Sequence, residues 1–214
     1  IPGICGIKIF LGVSTGTLLV SDKTALEKIF TETAGLIAVH AEDENRMEER
    51  RKLIEGRTDV AAHAYYRDDI TALLATKLSV ELAHKTGHRL HILHLTSGIE
   101  ADYLSDHCSL PSKANSNPII TTEVLPQHLT FDETDVDAQG VRLQMNPPIR
   151  YAQDREILWK RLVDGTIQCI ATDHAPHTLE AKSLGFPQAP SGMPGVETSL
   201  AVMLNLSLIH ISEP

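Results

Sequence analysis

The stretch from Ile167 to His177, Ile-Gln-Cys-Ile-Ala-Thr-Asp-His-Ala-Pro-His, sets a short apolar run directly before Asp173, His174 and His177. Carboxylate and imidazole are the side chains of metal coordination and of proton transfer near neutral pH. Pro176 blocks an immediate helix. A buried strand over Ile167–Ala171 that hands over abruptly to such residues suits a parallel α/β barrel, whose chemistry sits at the C-terminal ends of its strands. A surface loop that happens to hold two histidines would read the same locally, so other segments must decide. Three do: Lys8 lies in an apolar run, and His40 and His94 each close one. A single strand-end histidine is more often a hydrogen-bonded core residue, and His91 reads as one. Four such residues on different strands would converge at one barrel mouth.

Lys8 is the odd member. An ammonium among Ile7, Ile9 and Phe10 would pay desolvation, and bound cations would repel it. It must be paired or chemically altered, unless it snorkels from an edge strand.

The elements that would position these residues alternate. Gly3–Phe10 reads as a strand, and Gly12–Gly16 as a small-residue loop. Ser21–Ala34 reads as a helix with Thr24 and Glu27 at capping-box spacing. Leu36–Val39 is the second strand, and the charged run Glu42–Arg57 reads as a solvated helix face. Asp68–Lys85 carries apolar residues at helical spacing and stops at Gly87. Leu90–Leu95 and Ile119–Leu125 are the next strands, with a short helix over Ile99–Ser105 and an exposed loop over Pro111–Pro118 between them. Pro126–Arg150 reads as irregular, with an acidic patch at Asp132–Asp137. Ala152–Val163 is an amphipathic helix before the strand at Ile167. This alternation predicts an α/β fold with a parallel sheet. A doubly wound sheet is the competing architecture, but Gly12-Val13-Ser14-Thr15-Gly16 lacks the GxGxxG or Walker spacing of a phosphate loop.

Composition narrows the partners. A net charge of −9 argues against nucleic acid and anionic membrane surfaces. Three scattered cysteines without CxxC spacing support neither a disulfide framework nor a zinc knuckle, and fit a reducing cytoplasm. No apolar run approaches the roughly 18 residues of a membrane span.

Taken in order, Gly6-Ile7-Lys8-Ile9-Phe10-Leu11-Gly12, His40-Ala41-Glu42, His91-Ile92-Leu93-His94, Thr122-Glu123-Val124, Asn146-Pro147-Pro148-Ile149-Arg150, Ala171-Thr172-Asp173-His174-Ala175-Pro176-His177 and Pro190-Ser191-Gly192-Met193-Pro194-Gly195-Val196-Glu197-Thr198 resemble the dihydroorotases of the amidohydrolase superfamily. The resemblance implies a partial TIM (β/α)8 barrel, roughly strands 4 to 8. It implies zinc, two ions bridged by a carboxylated Lys8, with His40 and His94 on the second ion. Asp173 would be both a ligand and the catalytic base. Asn146 and His177 would contact the substrate, a small molecule, and a metal-activated hydroxide would open the dihydroorotate ring or, in reverse, close N-carbamoyl-L-aspartate. Gly192 and Gly195, before a helix at Val196–Leu204, could offer N–H groups to an anion, although ordinary helix-start geometry explains them equally well. A homodimer or an association with aspartate transcarbamoylase is the partner expectation.

The sequence departs from that family in one respect. The His-x-His pair and following arginine of such enzymes have no counterpart in residues 1–205. Residues 1–205 are therefore expected to be the C-terminal part of a barrel domain, inactive alone. Leu206–Pro214 reads as a non-native tail resembling a translated sequencing adapter. Allantoinase and dihydropyrimidinase or hydantoinase share the lysine, histidines and aspartate; His177 and the Pro190–Thr198 loop favour dihydroorotase. A non-catalytic scaffold for a transcarbamoylase is the alternative of a different kind.

Overall fold

The computed structural model describes residues 3–12, 19–20, 22–108 and 119–207. Most of the small-residue loop after Gly12, the loop expected at Pro111–Pro118, and the tail beyond Ser207 lie outside the described residues.

Five strands form one parallel sheet in sequential order: β1 (Gly6–Phe10), β2 (Leu36–His40), β3 (Leu90–Leu95), β4 (Ile120–Val124) and β5 (Cys169–Ile170). Sequential order is that of a barrel wall and removes the doubly wound alternative, whose strand order reverses at a switch point. Helix α1 (Lys23–Glu32) links the first pair. A longer excursion, α2 (Glu44–Arg51), a 3₁₀ turn, α3 (Ala61–Tyr66) and α4 (Asp69–Thr86), links the second. Helix α5 (Gly98–Ser105) follows β3. After β4 come α6 (Pro126–Thr130), α7 (Glu133–Gln139), a second 3₁₀ turn and α8 (Ala152–Val163). Beyond β5 lie α9 (Leu179–Lys182) and α10 (Ser199–Leu206). No helix among the described residues is long and apolar enough to cross a membrane.

Side chains alternate along a strand, so each strand has two faces. Ile9, Ile37, Val39, Leu90, Ile92, Ile120 and Val124 form one buried core with Leu26 and Phe30 of α1, Leu82 of α4, Leu104 of α5 and Leu158 of α8. On the other face, Lys8, Ala38, His91 and Thr121 share one row of the register. His40 follows Ala38 by two residues and shares its face. The polar face is where the sequence placed its chemistry.

Local signals explain the helix limits. Asp22 caps α1 by accepting from the Ala25 N–H at 2.7 Å, displacing the expected Thr24–Glu27 box. Asp68 caps α4, and Gly87, at φ 69°, ends it as expected. The segment expected to be irregular is mostly helical. Pro126 starts α6, and the acidic patch is a capping box in which Asp132 and Asp135 secure α7. The charged run after Glu42 does form α2, but Glu42, Glu44 and Met47 are buried. At β5 the expected buried strand shrinks to two ladder residues, and Ile170 is 45% exposed, because β5 is an edge with a partner on one side only.

Burial differences make the core testable. Ile92→Ala should destabilise the protein by about 2–5 kcal/mol, through lost transfer energy and the cavity left behind. Val163→Ser, at an 82% exposed position, should fall within about 0.5 kcal/mol of wild type. Urea unfolding midpoints of the two variants check both.

Candidate metal centre

His40 ends β2, and His94 lies at the end of β3 with a left-handed backbone, φ 35°, where the β3–β4 register shifts. This irregularity brings His94 Nε2 to 2.9 Å from His40 Nδ1, both rings being buried. On its other side His40 Nε2 lies 2.8 Å from Glu42 Oε2. Burial pushes the Glu42 carboxyl up, but Arg67 and His40 outweigh it and hold it well below the usual carboxylate range. Glu42 is thus an acceptor only, and His40 must donate Nε2–H to it. His40 Nδ1 is the nitrogen that faces His94. Burial, then the charge of His40, holds His94 well below the usual imidazole range, so the His94 ring is neutral.

Behind Glu42 stands Arg67, which donates from Nε at 3.0 Å and from Nη2 at 2.6 Å. A carboxylate that fixes the tautomer of a histidine, itself anchored by a guanidinium, is the outer arrangement of metal-ligating imidazoles. The donor set suits a transition metal: two imidazole nitrogens converge on one point. His94 Nδ1 is buried without a hydrogen-bond partner.

Lys8 and Asp173 complete the electrostatic neighbourhood. Asp173 adopts φ 42°, and burial raises its carboxyl above the ordinary 3.8, while Lys8 and His40 pull it down and Glu123 pushes it up. Lys8 also acts on His94. Lys8 and His40 thus act on both His94 and Asp173. Among the described residues, however, no three His, Cys, Asp or Glu side chains lie close enough together to hold a metal. The desolvation expected of Lys8 is not found either. Its side chain is exposed on the edge strand β1, with Nζ 4.6 Å from the centre of the Phe10 ring. His91 is the hydrogen-bonded residue it was read as: Nδ1 is 2.8 Å from Thr121 Oγ1, and Nε2 is 3.1 Å from Glu123 Oε2. Glu123 also accepts from the His94 backbone N–H at 3.3 Å, so it supports the irregularity that aims His94.

Asn146 and His177 sit in a second group. Asn146 Oδ1 accepts from His63 Nε2 at 2.9 Å, and His63 also reaches Met145 O at 3.0 Å. His177 is exposed and donates from Nε2 to Ser191 O at 3.0 Å. The loop around Ser191 is sewn down at several points. Gly192 N–H donates to Gln144 O at 2.9 Å, and Ala175 N–H to Met193 O at 3.0 Å. His174 Nδ1 accepts from the N–H groups of Gly195 and Val196 at 3.1 and 3.2 Å. A Cβ at Gly192, where φ is 143°, would meet Ala175 O at 2.5 Å, so only glycine fits. The N–H groups of Gly192 and Gly195 are thus committed within the chain and not free for an anion, and the helix expected at Val196 starts at Ser199. Between Asn146 and Ser191 opens a cavity of about 600 Å³ also lined by His63, Arg51, Lys52 and Arg57.

Sequence reasoning missed His63 and Arg67. They stand one turn apart at α3, with Arg67 N–H bonded to His63 O. One reaches Asn146 and the other backs His40. The only local signal is their spacing of four, in the stretch between Arg57 and Asp68 where no element is expected from sequence.

No family model matches the chain. A dihydroorotase of Methanosarcina mazei is 33% identical over 199 residues, covering 92% of this chain and 44% of that protein. A dihydroorotase of Lactococcus lactis is 35% identical, covering 91% of this chain and 45% of the relative. Among solved structures, an L-hydantoinase (dihydropyrimidinase) from Arthrobacter aurescens superposes with a TM-score of 0.84 at 27% identity, over 94% of this chain and 46% of that one. The fold and its polar strand-end face thus define a partial barrel of the amidohydrolase type, similar to that of the hydantoinases. In sequence the chain is dihydroorotase-like, and it spans under half the length of the dihydroorotases it matches.

Buried histidines give this site a pH signature. Burial lowers both His63 and His128 from 6.5 to about 4, so the unfolded chain binds their protons first and stability falls as pH drops from 6.5 toward 4. Glu100, raised by burial from 4.5 to about 7, takes up its proton in the fold first and offsets part of this loss. His128→Gln, which can still donate to Pro147 O, should flatten the fall. Urea unfolding of wild type and variant across pH 4–6.5 measures it; an unchanged slope would exclude His128 as a contributor.

Proposed function

We propose that the protein carrying this chain is a zinc-dependent dihydroorotase. It would interconvert (S)-dihydroorotate and N-carbamoyl-L-aspartate, ring closure being the direction of de novo pyrimidine synthesis. The observation that carries the reading is the convergence of His40 Nδ1 and His94 Nε2, with Glu42 and Arg67 fixing the tautomer behind them. Dihydroorotase relatives over nine-tenths of the chain supply the substrate.

His40, His94, Asp173 and a carboxylated Lys8 would hold the zinc. Bound zinc supplies Lewis acidity and lowers the pKa of water. Asp173 accepts a proton from the attacking water and delivers it to the amide nitrogen as the ring C–N bond breaks, so water is consumed with no other reactant. A carboxyl raised by burial is the better suited to that transfer. The exposure of Lys8 leaves its amine within reach of carbon dioxide. Asn146 and His177 would hold the substrate, His177 toward the ring carboxylate.

Solved structures favour a second reading, since hydantoinases are among those alike in fold. The complete protein, purified with zinc, should turn over dihydroorotate in preference to dihydrouracil, hydantoin or allantoin. Chelation should abolish the activity and zinc restore it. Asp173→Asn should lower kcat by about 10²–10⁴-fold, the range for loss of a general base. Preference for hydantoin or dihydrouracil would transfer the assignment to the second reading.

A further inference from the structure

We infer that His63 is a positioning residue that sets the orientation of the Asn146 carboxamide toward the substrate. This rests on the proposed role of Asn146 as a substrate contact. His63 is buried on α3, edge-on to the rings of Tyr66 and Phe186 at 5.6 and 6.1 Å, so its own ring is fixed. Its Nε2 meets two oxygens, Met145 O and Asn146 Oδ1, and therefore carries the proton and donates to both. A carboxamide whose oxygen is held in this way must turn its NH2 group to the opposite side. The donor, not the acceptor, of Asn146 is then presented, which suits a carbonyl or carboxylate oxygen of a substrate. Burial keeps the imidazole neutral over the physiological range, so this polarity does not change with pH there.

The backbone of the same turn is secured without His63. Gln144 O accepts from Gly192 N–H and from Lys182 Nζ, each at 2.9 Å, and the Gln144 side chain donates to Ala189 O at 2.8 Å. Pro147 O accepts from His128 at 3.3 Å, and Pro148 O from Thr96 at 2.7 Å. Losing the His63 donor would thus free the side chain of Asn146 while its backbone stays in place. Asn146 also faces the 600 Å³ cavity, into which a freed carboxamide could turn.

Four variants of the complete protein test this: His63→Leu, which removes the donor; His63→Gln, whose amide reaches as far and keeps it; Asn146→Ala; and His63→Leu with Asn146→Ala. His63→Leu should raise KM for dihydroorotate about tenfold, the scale of one lost hydrogen bond, with kcat nearly unchanged. His63→Gln should restore most of the affinity. In the Asn146→Ala background His63→Leu should add nothing to KM, since the two act as one unit. A purely structural His63 would lower stability in both backgrounds and leave KM alone. Wild-type KM in His63→Leu, equal impairment of His63→Gln, or an additive double variant would overturn the proposal. Failure of the substrate reading shows separately, as a wild type inert toward dihydroorotate. Crystal structures of wild type and His63→Leu then decide without substrate: a carboxamide that turns in the variant supports the proposal, and one that stays put overturns it.

Discussion

The buried ion pair of Glu42 with Arg67 is the interaction on which the remainder of this polar face depends. Two charges taken from water are worthwhile only where their geometry is good and their remaining hydrogen bonds are filled. Both conditions hold. Arg67 meets both carboxylate oxygens, donates from Nη1 to the Tyr66 hydroxyl at 3.1 Å, and sits at the C-terminus of α3, where a cation is favoured. Glu42 Oε2 is shared between Arg67 and His40. The position of a metal-competent imidazole is thus tied to a helix well removed in sequence. Removing either charge would strand its partner in the interior and release His40 as well.

That arrangement also explains the excursion between β2 and β3. A parallel pair of strands needs one crossover helix, and α4 supplies it with its inner face on the core. The preceding α2 and α3 are additional. They bring Arg67 behind the metal-competent pair and His63 to Asn146, so a single short helix braces a candidate metal ligand and a candidate substrate contact. The two functions are mechanically joined although their residues come from different strands.

The strand-end residues were legible because strand periodicity and a polar residue at the end of an apolar run are both local. Four of the five strands fall within a few residues of where the sequence puts them, as do α4 and α8. What stayed hidden was long in sequence or short in period. Glu42 and Arg67 are 25 residues apart, and neither sits in a motif of its own. Helices α6 and α7 are too brief to show an apolar stripe, and are announced only by Pro126 and by the Asp132 box, signals that also read as loop. For Lys8 the error lay in inferring burial from apolar neighbours. Alternation sets Lys8 on the face of His40 and His91, away from Ile9, and its exposure follows from its place on the edge strand β1.

A dihydroorotase-like sequence on a framework shared with hydantoinases is what the division of labour in this fold leads one to expect. In the proposed function the wall, its apolar side and the His40–His94 pair would supply the chemistry on amides, and they carry no information about which ring is bound. Selectivity must lie where the chain approaches the substrate from the strand ends, in the turn at Asn146 and the loop around Ser191. Those two segments are bonded to one another more densely than to the sheet, through Gln144, Gly192 and Lys182. They form a rigid collar rather than independent loops. A change of substrate therefore requires coordinated substitutions across the collar, because a single exchange would disturb its internal hydrogen bonds before it reshaped the pocket.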